Sequence, residues 1–158
     1  MRIALTIAAL NDLKVRACDI QNAYLTAPCK EKIYTTAGPE FGSDMGKQMV
    51  VVRALYGLKS AGASYRSFFA QALIDLGFKP SYADPDVWMK PGLKSDGSTY
   101  WEYVLCYVDD VLAIHEDPRI TLGLIMKKNF KLKGNKMDEP EMYLGAELSK
   151  MDNDDGDE

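Results

Sequence analysis

The sequence predicts an α+β domain, with helices packed on one face of a mostly antiparallel sheet. Three observations carry that expectation. Apolar periodicity runs in the order helix, strand, strand, helix, strand, strand, helix, strand. Residues 61–76 hold the clearest helical stripe. VLCYVDDVLAI, residues 104–114, sets two apolar runs around adjacent aspartates, as a tight hairpin does. At 158 residues and 47% hydrophobic, the chain is sized for one domain. That domain is placed at residues 1–150, followed by an acidic tail at 151–158 that is expected to be disordered.

Each element has a local reason. RIALTIAAL, residues 2–10, places Ile3, Ile7 and Leu10 on one helical face, and Asn11-Asp12 stops it. LKVRACDI alternates as a half-buried strand does and ends near Asp19. NAYL is a short helical or turn segment, broken near Pro28. EKIYTTAGPEFG reads as a short strand and then a Gly/Pro loop, and QMVVVRAL as a second strand. In the stretch 61–76, Tyr65, Phe68, Phe69, Ala72, Leu73 and Leu76 share a face, and Gly77 supplies the stop. DPDVWMK starts a strand, KSDGS turns, and TYWEYVLCYV is a long strand. Pro118 opens a helix that should run to about Phe130, with Lys127 and Lys128 favoured at its end by the helix dipole. EMYLGAEL reads as another strand.

The net charge of −4 conceals an uneven distribution. MDNDDGDE, the last eight residues, holds five acids and no base, so the rest carries 18 acids against 19 bases. Residues 1–66 carry nine Lys/Arg against five acids. A polyanion partner and a solvated basic face both account for that excess. Cys18, Cys29 and Cys106 are scattered, with no CxxC and only one histidine, His115. That pattern speaks against disulfides and zinc and favours a reducing compartment. No apolar run reaches the ~18 residues that span a bilayer, and IALTIAAL reads as a helix rather than a signal peptide.

Asp109 and Asp110 read as the two-residue loop of a hairpin between Val104–Val108 and Val111–Ile114. An acidic turn is the plain reading. Its weakness is that adjacent carboxylates repel, and only His115 lies near in sequence to neutralise them. Asp19 also ends an apolar-patterned strand. If that strand lies beside the hairpin, three hard-oxygen ligands meet at one sheet edge, a set that suits Mg²⁺ and phosphoryl transfer. Spacing alone leaves both readings open.

Five blocks in order carry a resemblance: DIQNAYL, RALYGLKSAGASYR, LGFKPSYADPDVW, VLCYVDDVLAI and EMYLGAEL. Together they resemble the reverse transcriptases of copia-type LTR retrotransposons, across nearly all of residues 2–150. The resemblance implies a right-hand polymerase palm with truncated fingers, acting as an RNA-directed DNA polymerase. It implies two Mg²⁺ ions, with Mn²⁺ as a substitute, held by Asp19, Asp109 and Asp110 with help from the Ile20 carbonyl. Tyr24, Tyr56 and Gly57 would bind the nucleotide, Tyr24 beneath its sugar. Lys59 would face the template, and Tyr143, Leu144 and Gly145 would form the grip on the primer end. The implied partners are a primer–template duplex and dNTP. The implied location is cytoplasmic, in a virus-like particle, or nuclear, and no membrane is involved.

This chain departs from the family pattern. QAPRAWY appears as SAGASYR, so Gly62, Ala63 and Tyr65 replace proline, arginine and tryptophan. A looser helix start and one lost template or phosphate contact are expected. The early fingers, thumb, RNase H and integrase segments of the family are not matched, so the isolated chain is expected to polymerise poorly. A catalytically silent remnant with at most weak nucleic-acid binding is the competing expectation. A Mg²⁺-dependent phosphohydrolase lacks support, because no P-loop and no general base accompany the acids. Geometry separates these readings: a polymerase needs Asp19 beside the tandem acids.

Overall fold

A computed structural model of the chain describes residues 2–149. The acidic tail lies outside the described residues. The centre is a five-stranded sheet in the order β1-β7-β6-β5-β4, and every pairing is antiparallel. Its strands are β1 (Lys14–Asp19), β4 (Lys79–Pro80), β5 (Val87–Leu93), β6 (Thr99–Tyr107) and β7 (Asp110–His115). Two small ribbons flank it: β2 (Tyr34–Thr36) with β3 (Gln48–Val50), and β8 (Met142–Tyr143) with β9 (Ala146–Glu147). The helices are α1 (Arg2–Leu10), α2 (Ala23–Thr26), α3 (Ala61–Asp75) and α4 (Pro118–Met126). The α+β class and the antiparallel sheet are as expected.

The helices do not share one face. Alternation along β7 sends Val111 and Ala113 into a cluster with Tyr65, Phe69 and Leu73 of α3 and Leu122 and Ile125 of α4. Leu112 and Ile114 point the other way, into a cluster with Ala4 and Ala8 of α1 and Tyr143 of β8. The continuous apolar run VLAI is what a strand covered on both faces requires. Within α1 the packed row is Ala4 and Ala8, while Ile3 and Leu10 are 78% and 80% exposed. The expected face was therefore wrong: the helix meets the sheet along the row of small side chains.

α3 ends as its glycine requires. Gly77 has φ 88°, and the Gly77 and Phe78 amides donate to the Ile74 and Leu73 carbonyls at 2.9 and 3.0 Å. That is the paired bonding of a Schellman stop. α4 ends at Met126, four residues short of expectation. Asn129 takes φ 69°, a left-handed conformation asparagine tolerates, and so turns Phe130 back into the core. There its ring meets Phe69 edge-on at 5.0 Å.

Two more expected strands are shorter. The strand over residues 48–55 covers only Gln48–Val50 and pairs with β2 outside the main sheet. EMYLGAEL is a hairpin rather than a strand. Leu144 and Gly145 both have positive φ, 52° and 74°, as a two-residue type I′ turn requires.

At the end of β7 remote from Asp110, His115 lies 3.5 Å from the buried Glu102, which also has Lys90 Nζ at 3.0 Å. Burial pushes the Glu102 carboxyl up, but His115 and Lys90 outweigh it and hold it below the usual range. His115 Nδ1 accepts the Asp117 amide at 2.7 Å. The histidine thus serves Glu102, not the paired aspartates.

Candidate active site

β1 and β7 lie side by side in a register that sets Asp19 directly opposite Asp110. The Ile20 amide extends that pairing, donating to the Asp109 carbonyl at 2.7 Å. The early acid therefore does sit beside the tandem acids. Cross-strand neighbours have Cβ atoms about 4.5–5.5 Å apart, so the two carboxylates repel unless a cation intervenes.

The hairpin turn is one residue earlier than expected. Tyr107 pairs with Asp110, so the loop is Val108-Asp109 and Asp110 belongs to β7. Val108 carries φ 52° and Asp109 does not have positive φ, the pattern of a type II′ turn, whose first position favours glycine. A β-branched residue there is strained. Val108→Gly is expected to stabilise the fold by about 1 kcal/mol, since the relieved strain exceeds the added chain entropy. Urea denaturation measures it, and a loss of stability would mean the turn holds no strain.

Burial raises the Asp110 carboxyl above the usual carboxylate range, and the charges of Asp109 and Asp19 add to it. Lys133, which sequence reasoning missed, opposes the shift. Its Nζ lies 3.4 Å from Asp19 Oδ2. No local sequence signal linked it to Asp19: the isolated bridge between Ile20 and buried Leu132 is what puts the flanking lysines beside the strand end. Cys18, between the acids and the core, has its thiol pushed up to about 12 by burial, then by Asp19 and Asp110, so it is inert.

The donor chemistry fits a divalent cation: adjacent hard oxygens with one exposed lysine as counter-charge. The three acids are not gathered onto one point. Among the described residues no set of three His, Cys, Asp or Glu side chains is disposed to hold a metal ion. Asp19 and Asp110 form the pair, and Asp109 stands on the turn.

Tyr24, on α2, stacks on Tyr56 with ring centroids 4.4 Å apart and planes 24° apart, and touches Tyr65 at 5.9 Å. Tyr56 is exposed, and Gly57 beside it has φ 95°, which few side chains tolerate. Lys59 is exposed in the same turn before α3. Ser60, at the start of α3, makes no side-chain cap. Tyr24, Tyr65, Trp88, Tyr107 and Val108 border a cavity of about 530 Å³. Ala63 opens on it where the family has arginine, and Arg66, one turn later, lines it too. Arg66 is engaged with Asp86, its Nε and Nη2 at 3.0 and 2.6 Å from one oxygen.

Tyr143 anchors its hairpin instead of lining a surface. It is 4% exposed, and its hydroxyl donates to the Leu105 carbonyl at 3.4 Å. Leu144 and Gly145 form the tip, and Leu144 is exposed.

A family model described as reverse transcriptase (RNA-dependent DNA polymerase) matches residues 1–154. The chain is 28% identical over 155 residues to the retrovirus-related Pol polyprotein from transposon RE1 of Arabidopsis thaliana, covering 96% of this chain and 10% of that protein. It is 32% identical over 130 residues to the corresponding polyprotein from transposon TNT 1-94 of Nicotiana tabacum, covering 80% of this chain and 9% of that protein. The polyprotein from transposon RE2 of Arabidopsis thaliana matches at 25% over 154 residues, 96% of this chain and 10% of that protein. The chain thus spans about a tenth of the length of these curated relatives.

Proposed function

Since the chain belongs to the reverse transcriptase (RNA-dependent DNA polymerase) family of copia-type retrotransposons, we propose that it is the palm, with part of the fingers, of a Pol polyprotein. Its reaction is template-directed attack of a primer 3′-OH on the α-phosphate of a dNTP, with pyrophosphate leaving. The observation that carries this is the register setting Asp19 against Asp110 beside the Val108-Asp109 turn.

Asp19, Asp110 and Asp109 would hold Mg²⁺, or Mn²⁺ in its place, with the Ile20 carbonyl assisting. Bound there, the ions supply activation of the hydroxyl and neutralisation of phosphate charge. The protein's own groups do the rest. Tyr24, steadied by Tyr56, presents an aromatic face on which the incoming sugar rests, leaving no room for a 2′-OH. Gly57 allows backbone to approach the nucleotide. Lys59 faces the template, and the Leu144-Gly145 tip, anchored by Tyr143, meets the primer end. A hybrid duplex is recognised by shape and phosphates, so base choice rests with the template.

The test is primer extension on an RNA template with Mg²⁺, by this chain and by a longer Pol polypeptide containing it. Extension by the longer polypeptide is expected to need a divalent cation and to fall steeply with salt. The competing reading is a silent remnant, favoured by the Lys133 contact at Asp19 and by acids that do not close on one point. Absence of both extension and saturable Mn²⁺ binding would decide for the remnant.

A further inference from the structure

A second cleft, of about 460 Å³, opens over the bend that follows β1. Its polar walls are Gln21, Asn22, Thr26, Arg53, Asn129 and Lys131, and none of its lining residues is acidic or aromatic. Two isolated backbone bridges bring the cations there from distant parts of the chain. Ile20 pairs with Leu132 and Pro28 with Arg53, so the segment between them runs with a lysine on one flank and an arginine on the other. The Gln21 amide donates to the Lys131 carbonyl at 2.8 Å. Arg53 Nη1 donates to the Thr26 carbonyl at 3.1 Å, which holds the guanidinium at the cleft, and among the described residues its other N–H groups make no hydrogen bond. Among the described residues neither cation belongs to an ion pair.

We propose that this cleft is an anion site for a polyphosphate, either free pyrophosphate or the phosphate tail of a nucleotide, held by Arg53 and Lys131. The guanidinium fork matches two oxygens of one phosphate group. The lysine serves the next as a point charge, and the side-chain amides of Gln21, Asn22 and Asn129 add neutral donors. The volume lies in the range of small-molecule clefts and exceeds what a single phosphate needs. With no aromatic wall the cleft has nothing on which to stack a base, which sets it apart from single-strand nucleic-acid grooves. Lys131 and Lys133 flank Leu132, so one short segment serves both this cleft and Asp19. The inference goes beyond the polymerase reading and needs neither metal nor catalysis.

The experiment is isothermal titration of inorganic pyrophosphate into the whole chain at low salt with a chelator present. Saturable binding is expected. Arg53→Gln and Lys131→Gln should each weaken it about tenfold, since each removes one charge-assisted contact. The double variant should weaken it further, and Asp110→Asn should not weaken it. Both altered side chains are exposed, and circular dichroism confirms that the variants fold. Tripolyphosphate and dATP binding alike would assign the site to free anions. Tighter dATP would assign it to nucleotide tails. No saturable binding, wild-type affinity in the double variant, or equal competition by deoxyadenosine would each overturn the proposal.

Discussion

Asp110→Asn is expected to reduce primer extension by on the order of a thousandfold, about 4 kcal/mol of barrier, while making the fold more stable. The two effects share one cause. The register places Asp110 against Asp19, and the turn places Asp109 next to it, so a carboxylate proposed to hold a cation is also one whose charge its protein neighbours disfavour. Burial, then Asp109 and Asp19, raise its pKa against the pull of Lys133. A carboxyl that binds its proton more tightly folded than unfolded supports the fold fully below its unfolded pKa. That support is lost as pH rises through the folded value. Asparagine carries no charge at any pH. The variant should therefore melt higher than the parent at about pH 7 and equal it at about pH 3, below the ordinary carboxylate range. Calorimetry at the two pH values and extension assays together check this. Retained extension, or a lower melting temperature at neutral pH, would show that the acids do not act as this register requires.

Leu112→Ala is expected to destabilise the chain by about 3–4 kcal/mol, measured by urea denaturation. Leu112 is fully buried in the second strand of the sheet, between β1 and β6, against α1 and Tyr143. Neighbouring strands hold it on both sides, so the vacated space cannot collapse. Ile74→Ala on α3, where the side chain is 51% exposed, should change stability by less than about 0.5 kcal/mol. A small cost at Leu112 would mean that α1 does not cover that face.

The elements that were legible in the sequence are those whose signal is local. Gly77 stopped α3 because a left-handed residue is needed there, and the period of the aromatic stripe placed Tyr65, Phe69 and Leu73 inward. Asp19 stood at a strand end because apolar alternation ceased there. The departures have a different origin. The face of α1 depended on how closely it approaches the sheet. The end of α4 depended on Phe130 finding Phe69, and the turn depended on which residue of VDD pairs with Tyr107. Lys133 lies 114 residues from Asp19, and nothing in either local sequence points to the other.

By itself the sequence determined that this is an α+β reverse transcriptase chain with acids at two strand ends, because periodicity, turn residues and five ordered motifs are properties of neighbouring residues. Only the tertiary structure decided that Asp19 stands opposite Asp110, that helices cover both faces of β7, and that Lys131, Lys133 and Arg53 gather around the bend after β1. Those outcomes depend on strand order and register, which follow from the packing of the whole core rather than from any one segment.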